Sequence, residues 1–130
     1  MMDLESLRLA ENFFSRDPEV FPVVHGFFQG ALERWPEVEL VTQKSQVGLR
    51  DPRPFCALWP PLHGGWKNKP KHCVALSLFL GRRLDSPRVS QAVEAYPGRW
   101  TTHFLLTSPE ELDGELWAWA DEARAFRNQK

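Results

Sequence analysis

Very little in this chain signals a compartment, a cofactor or covalent chemistry, and each gap excludes something. Of its 130 residues only two are cysteines, Cys56 and Cys73, and they form no C-x-x-C pair. A disulfide framework is thereby excluded. His63 and His72 add soft donors, but with the cysteines they match no zinc ligand pattern. No run approaches the roughly 18 apolar residues of a membrane span. The start, Met1-Met2-Asp3-Leu4-Glu5, lacks both a basic cluster and an apolar run, so a cytoplasmic location with reduced thiols is expected. Neither G-x-G-x-x-G nor a P-loop occurs, and no serine sits in a G-x-S-x-G elbow. Common nucleotide-binding enzymes and serine hydrolases are therefore disfavoured, and neither a cofactor nor a metal is expected. Charge of one sign is not in excess either: the formal net charge is −1, which argues against a general nucleic-acid or membrane binder.

What the chain does have is aromatic mass, with nine Phe and six Trp in a sequence that is 42% hydrophobic. At this length about two-thirds of the unfolded surface can be buried, so residues 1–130 read as one domain with its own core. Eleven Pro and eight Gly lie between apolar segments and imply defined turns rather than disorder. Charge is unevenly spread. Residues 1–43 carry three basic and eight acidic groups, residues 44–103 ten and three, and residues 104–130 three and six. The basic middle is either an electrostatic footprint for phosphates or a sheet that pairs with acidic helices.

The pattern predicts an α+β domain: an antiparallel sheet of about five strands, two N-terminal helices and one C-terminal helix. Leu4, Leu7, Ala10 and Phe14 mark a helix over residues 3–15. Asp17-Pro18 reads as a cap, but Pro22 delays the regular second helix to about its own position. Val24, Phe28, Ala31 and Trp35 then form its stripe, Gly26 and Gly30 thin one face for packing on the sheet, and Pro36 ends it. Strands are expected at 38–41, 46–50, 55–59, 73–80 and 100–107, the run Cys73–Leu80 being central because both its faces are apolar. Pro60–Lys71 and Gly81–Pro87 are long loops, the first basic and bearing Trp66. The closing helix starts with Ser108, Pro109 and Glu111 as a capping box; Leu112, Leu116, Trp119, Ala123 and Phe126 form its stripe and leave Trp117 off it.

One polar–aromatic set remains after these structural roles are assigned: Arg53, Trp59, Trp66, Tyr96, Arg99 and His103. Guanidinium groups beside aromatic rings suit a planar or anionic ligand, through stacking and bidentate hydrogen bonds. In strand alternation His103 lies opposite Trp100 and Phe104, where a cleft would lie. A purely structural alternative packs Trp100 and Tyr96 in the core, pairs Arg99 with Glu94 or Asp113, and bonds His103 to a neighbouring strand.

Three stretches carry a resemblance: Thr42–Leu49 with Arg53-Pro54-Phe55-Cys56-Ala57; the strand Val74–Leu80; and Tyr96-Pro97-Gly98-Arg99-Trp100-Thr101-Thr102-His103 running on through Ser108-Pro109-Glu110-Glu111-Leu112-Asp113. Over about residues 38–126 the chain resembles a bacterial family of domains of unknown function, number 5655. Such modules occur alone or at the ends of larger proteins, some resembling transport or nuclease-like chains. The resemblance implies an accessory or binding role and carries over no catalytic residue.

The expectation is therefore a non-enzymatic module for a small anionic or planar ligand, acting as a monomer or homodimer. One alternative is nucleic-acid association through Lys44, Arg50, Lys67, Lys69, Lys71, Arg82 and Arg83. Another is a small hydrolase-like enzyme with His103 as general base. A last one, an assembly subunit, requires Trp117 exposed in an apolar patch.

Overall fold

Alternation of apolar side chains along β4 (Val74–Leu80) organises the whole molecule. Val74, Leu76, Leu78 and Leu80 belong to the core beneath the helices, and Ala75, Ser77 and Phe79 occupy the opposite face of the sheet. The computed structural model describes residues 4–62 and 65–129, so His63 and the expected helix start at residue 3 lie outside the described residues. Around β4 stand β1 (Glu39–Thr42), β2 (Val47–Arg50), β3 (Pro54–Trp59), β5 (Gln91–Tyr96) and β6 (Arg99–Leu106). They form one six-stranded sheet in the order β1-β2-β3-β4-β6-β5, every neighbouring pair antiparallel. The helices are α1 (Leu4–Asn12), α2 (Phe21–Arg34) and α3 (Gly114–Arg127). None of the described helices is long and apolar enough to cross a membrane.

The core lies between the sheet and α2 and α3. Phe27 and Phe28 from α2 share one core cluster with Phe55 and Phe104 from the sheet, all fully buried. Each such ring contributes about 1.5–3 kcal/mol of hydrophobic stabilisation. Helices α2 and α3 pack closely because Gly30 leaves a notch: a Cβ there would stand 2.5 Å from Trp117 Cζ2. The Trp117 ring fills that notch, stacks on Phe27 at 5.4 Å and meets Trp35 edge-on at 5.6 Å. The same two helices are tied by Asp121, which accepts from Arg34 Nη2 at 2.6 Å and from Trp35 Nε1 at 2.8 Å. These donors hold the Asp121 carboxyl below its ordinary range.

The architecture is the α+β one expected, with three differences. The described residues form six strands, not about five. The extra one, β5, is an exposed sheet edge; with so little burial it has no apolar alternation to betray it. The closing helix starts later than Pro109. Glu111 Oε1 does accept from the Ser108 amide at 3.2 Å, but Pro109–Glu111 makes only a 3₁₀ turn. Asp113 then caps α3, accepting from the Leu116 amide at 3.0 Å. Finally, the notch at Gly30 receives α3 through Trp117 rather than the sheet, so Trp117 is spent on packing within the domain.

Candidate functional site

The face of the sheet turned away from the helices carries the polar–aromatic chemistry. Cross-strand pairing sets Ser77 on β4 directly between Ala57 on β3 and His103 on β6. Trp59 stands two residues beyond Ala57 on the same face, so its indole reaches back over the small side chains Ala57 and Ala75. Its Nε1–H donates to Ser77 Oγ at 2.8 Å, and Ser77 Oγ lies 2.7 Å from His103 Nδ1. Oγ accepts from Trp59 and shares one further hydrogen bond with Nδ1, so a single hydroxyl links the indole to the imidazole. Trp66, from the β3–β4 loop, completes a triangle: its ring lies 5.8 Å from Trp59 and 5.8 Å from His103, and Trp59 lies 5.7 Å from His103. Burial pushes the His103 imidazole below its ordinary value, so it is neutral at pH 7.

Beyond Trp59 the surface opens into a hollow of about 570 Å³. Its walls come from three separate places: Phe13 and Arg16 after α1, Lys44 to Gln46 in the β1–β2 turn, and Trp59, Pro60 and Leu62 at the end of β3. Arg16 and Lys44 have no hydrogen-bond or ion-pair partner among the described residues. Among the described residues no carboxylate lines the hollow, and nearby Asp17 is engaged by His72 Nδ1 at 2.9 Å. Two unneutralised cations thus flank an apolar wall containing an indole.

The six residues singled out from the sequence divide into two groups. Trp59, Trp66 and His103 come together as described. Arg53 and Arg99 lie at the other end of the sheet, where they line a second, polar hollow with Arg127. Strand direction separates them: Arg99 and His103 share β6 but stand four residues, or roughly 13 Å, apart along it. Tyr96 is 68% exposed and lies with Arg99 at that far end, not in the core. Arg99 has no carboxylate partner among the described residues, since Asp113 binds Arg88 and Glu94 accepts from the Gly98 amide. Ser77 and Arg16 escaped sequence reasoning. Ser77 had one signal, as the only polar side chain within the apolar run Val74–Leu80.

The alternatives bear differently on this geometry. Three of the ten basic groups in residues 44–103 are paired within the domain: Arg82 with Glu122, Arg88 with Asp113 and Glu115, and Arg50 with Glu39. Ser77 and His103 touch, but Ser77 is 4% exposed in mid-strand and already binds Trp59. A nucleophile needs an approach path that this serine lacks. Burial raises the Cys56 thiol well above its ordinary value, which makes it a core side chain rather than a thiolate.

A family model described as Domain of unknown function (DUF5655) matches residues 10–128. The match takes in the end of α1 and all of α2, more of the chain than the stretch from residue 38 on which the resemblance rested. No curated protein and no solved structure matches the chain.

Proposed function

The chain belongs to the DUF5655 family, and because that description assigns no activity, we propose a function from the site itself: a binding module for a small anionic ligand with a planar, apolar body. The ligand occupies the hollow beside Trp59. Its ring lies against the indole and the Leu62 and Phe13 side chains, and its anionic group meets Arg16 and Lys44. What carries this reading is the pair of unpartnered cations beside the apolar surface of Phe13, Trp59, Pro60 and Leu62, with no carboxylate among the described lining residues. A cavity of this volume falls in the range that encloses small ligands. Trp66 and His103 act behind Trp59, holding its ring through edge contacts and the shared Ser77. The role is one of binding, since no histidine, cysteine or carboxylate stands beside the Ser45 hydroxyl among the described lining residues.

The test is a fluorescence titration with matched pairs of planar aromatic carboxylates and their neutral carboxamides. Saturable quenching by the carboxylate, weakened about tenfold by Lys44→Ala or Arg16→Ala, is expected, since a hydrogen bond to a charged group contributes at least that much. Equal affinity for carboxylate and carboxamide would remove the role given to the two cations.

A further inference from the structure

At the end of the sheet remote from Trp59, three arginines from three rigid elements surround one polar hollow of about 360 Å³. Arg53 is bracketed by Pro52 and Pro54 in the β2–β3 turn. Arg99 opens β6 straight after the β5–β6 turn, where Gly98 adopts φ +76°. Arg127 closes α3 and donates from Nε to the Pro54 carbonyl at 3.0 Å, which fixes its guanidinium and leaves the two terminal nitrogens for another acceptor. The helix end that bears it is itself anchored to the β2–β3 turn. Arg124 Nε donates to Asp51 Oδ2 at 2.9 Å, and Asn128 Nδ2 donates to the Asp51 carbonyl at 2.8 Å.

Among the described residues no carboxylate lines this hollow. Among the described residues, the nearest in the chain are committed: Asp51 to Arg124, Glu94 to the Gly98 amide at 3.1 Å, and Glu122 to Arg82. The Arg53 and Arg99 side chains have no hydrogen-bond or ion-pair partner among the described residues. Three like charges held together with no counter-ion among the described residues repel one another, and their elements are fixed by prolines, a tight turn and a capped helix rather than free to spread.

We infer that this hollow is a second binding site, specific for a phosphate group, either free or as a phosphomonoester. One guanidinium fork already matches both oxygens of a carboxylate. Three guanidinium groups match an anion with three or four acceptor oxygens and up to two charges. The site is independent of the Trp59 hollow and neither requires nor excludes a ligand there.

The experiment is an NMR titration of the backbone amides with inorganic phosphate, an alkyl phosphomonoester, acetate and chloride at constant ionic strength. Both phosphates should produce saturable shifts centred on Gly98, Arg99 and Arg127, with acetate weaker and chloride inert. Tighter binding of the ester identifies a phosphorylated small molecule as the occupant, and equal binding identifies free phosphate; both support the site. Arg53→Gln and Arg99→Gln should each weaken binding about tenfold or more, as loss of charge-assisted bonds requires. Lys44→Ala should leave it unchanged, which separates this site from the Trp59 reading. Arg53 and Arg99 are exposed, so their glutamine variants are expected to fold, and a thermal melt checks that they do. Shifts that acetate or chloride reproduce, no saturation with either phosphate, or unaltered binding in both folded variants would overturn the assignment.

Discussion

Replacing Ser77 with alanine tests the network behind Trp59 with little steric disturbance, because the new side chain is smaller and its neighbours on that face, Ala57 and Ala75, are alanines already. The change removes two hydrogen bonds, the one donated by Trp59 Nε1 at 2.8 Å and the one shared with His103 Nδ1 at 2.7 Å. Two ordinary bonds lost at net value set a floor of about 1–3 kcal/mol; two orphaned polar groups at full desolvation cost set a ceiling of about 2–6 kcal/mol. Trp59 and His103 are only half-buried, so water relieves part of the penalty, and the expected loss is about 2–3 kcal/mol. Urea denaturation at pH 7.5 reads it: with a slope of about 1–3 kcal/mol per molar, the midpoint falls by roughly 1 M or more at unchanged slope. Trp59 fluorescence should shift as its indole N–H exchanges serine for water. A loss below about 0.5 kcal/mol with an unaltered spectrum would mean that the three side chains do not act together. Thr102 provides the contrast. Its hydroxyl is buried without a partner, so Thr102→Val should stabilise the fold by about 1 kcal/mol in the same assay.

Other expectations concern packing and pH. Gly30→Ala sets a methyl group against Trp117 and should destabilise by about 1–3 kcal/mol despite better helix propensity. In a Trp117→Leu background the same change should instead be neutral or gain up to about 1 kcal/mol, and a cycle of thermal melts showing no change of sign would refute the notch. His103 favours its neutral form when folded, so below the unfolded value of about 6.5 the unfolded chain holds more protons and acid costs stability. Its contribution is complete above that pH and is lost as pH falls toward the depressed folded value. His103→Gln should flatten that part of the stability–pH curve, and superimposable curves would contradict the assignment.

Residues whose role is set by near neighbours were legible in the sequence. The stripe of α3, the central position of β4 and the outward side of His103 follow from periodicity alone, because local geometry decides which side chains share a face. The edge strand β5 was not legible, since a strand that buries little leaves no pattern. Ser108 and Glu111 announced a helix start and formed the expected amide contact, yet Asp113, a second acceptor five residues on, captured the α-helix. Composition drew Arg53, Tyr96 and Arg99 into one group with Trp59, and only the antiparallel register reveals that they sit at opposite ends. Arg16 and Lys44 meet across the fold from elements far apart in the chain, a juxtaposition that no local signal records.

The most direct measurement follows the six indole N–H resonances while a planar aromatic carboxylate is added at constant ionic strength. The Trp59 resonance should move saturably, Trp66 should follow to a lesser extent, and the packed indoles of Trp35 and Trp117 should stay in place. Six resonances that remain still, or that drift together without saturation, would contradict a ligand seat against Trp59.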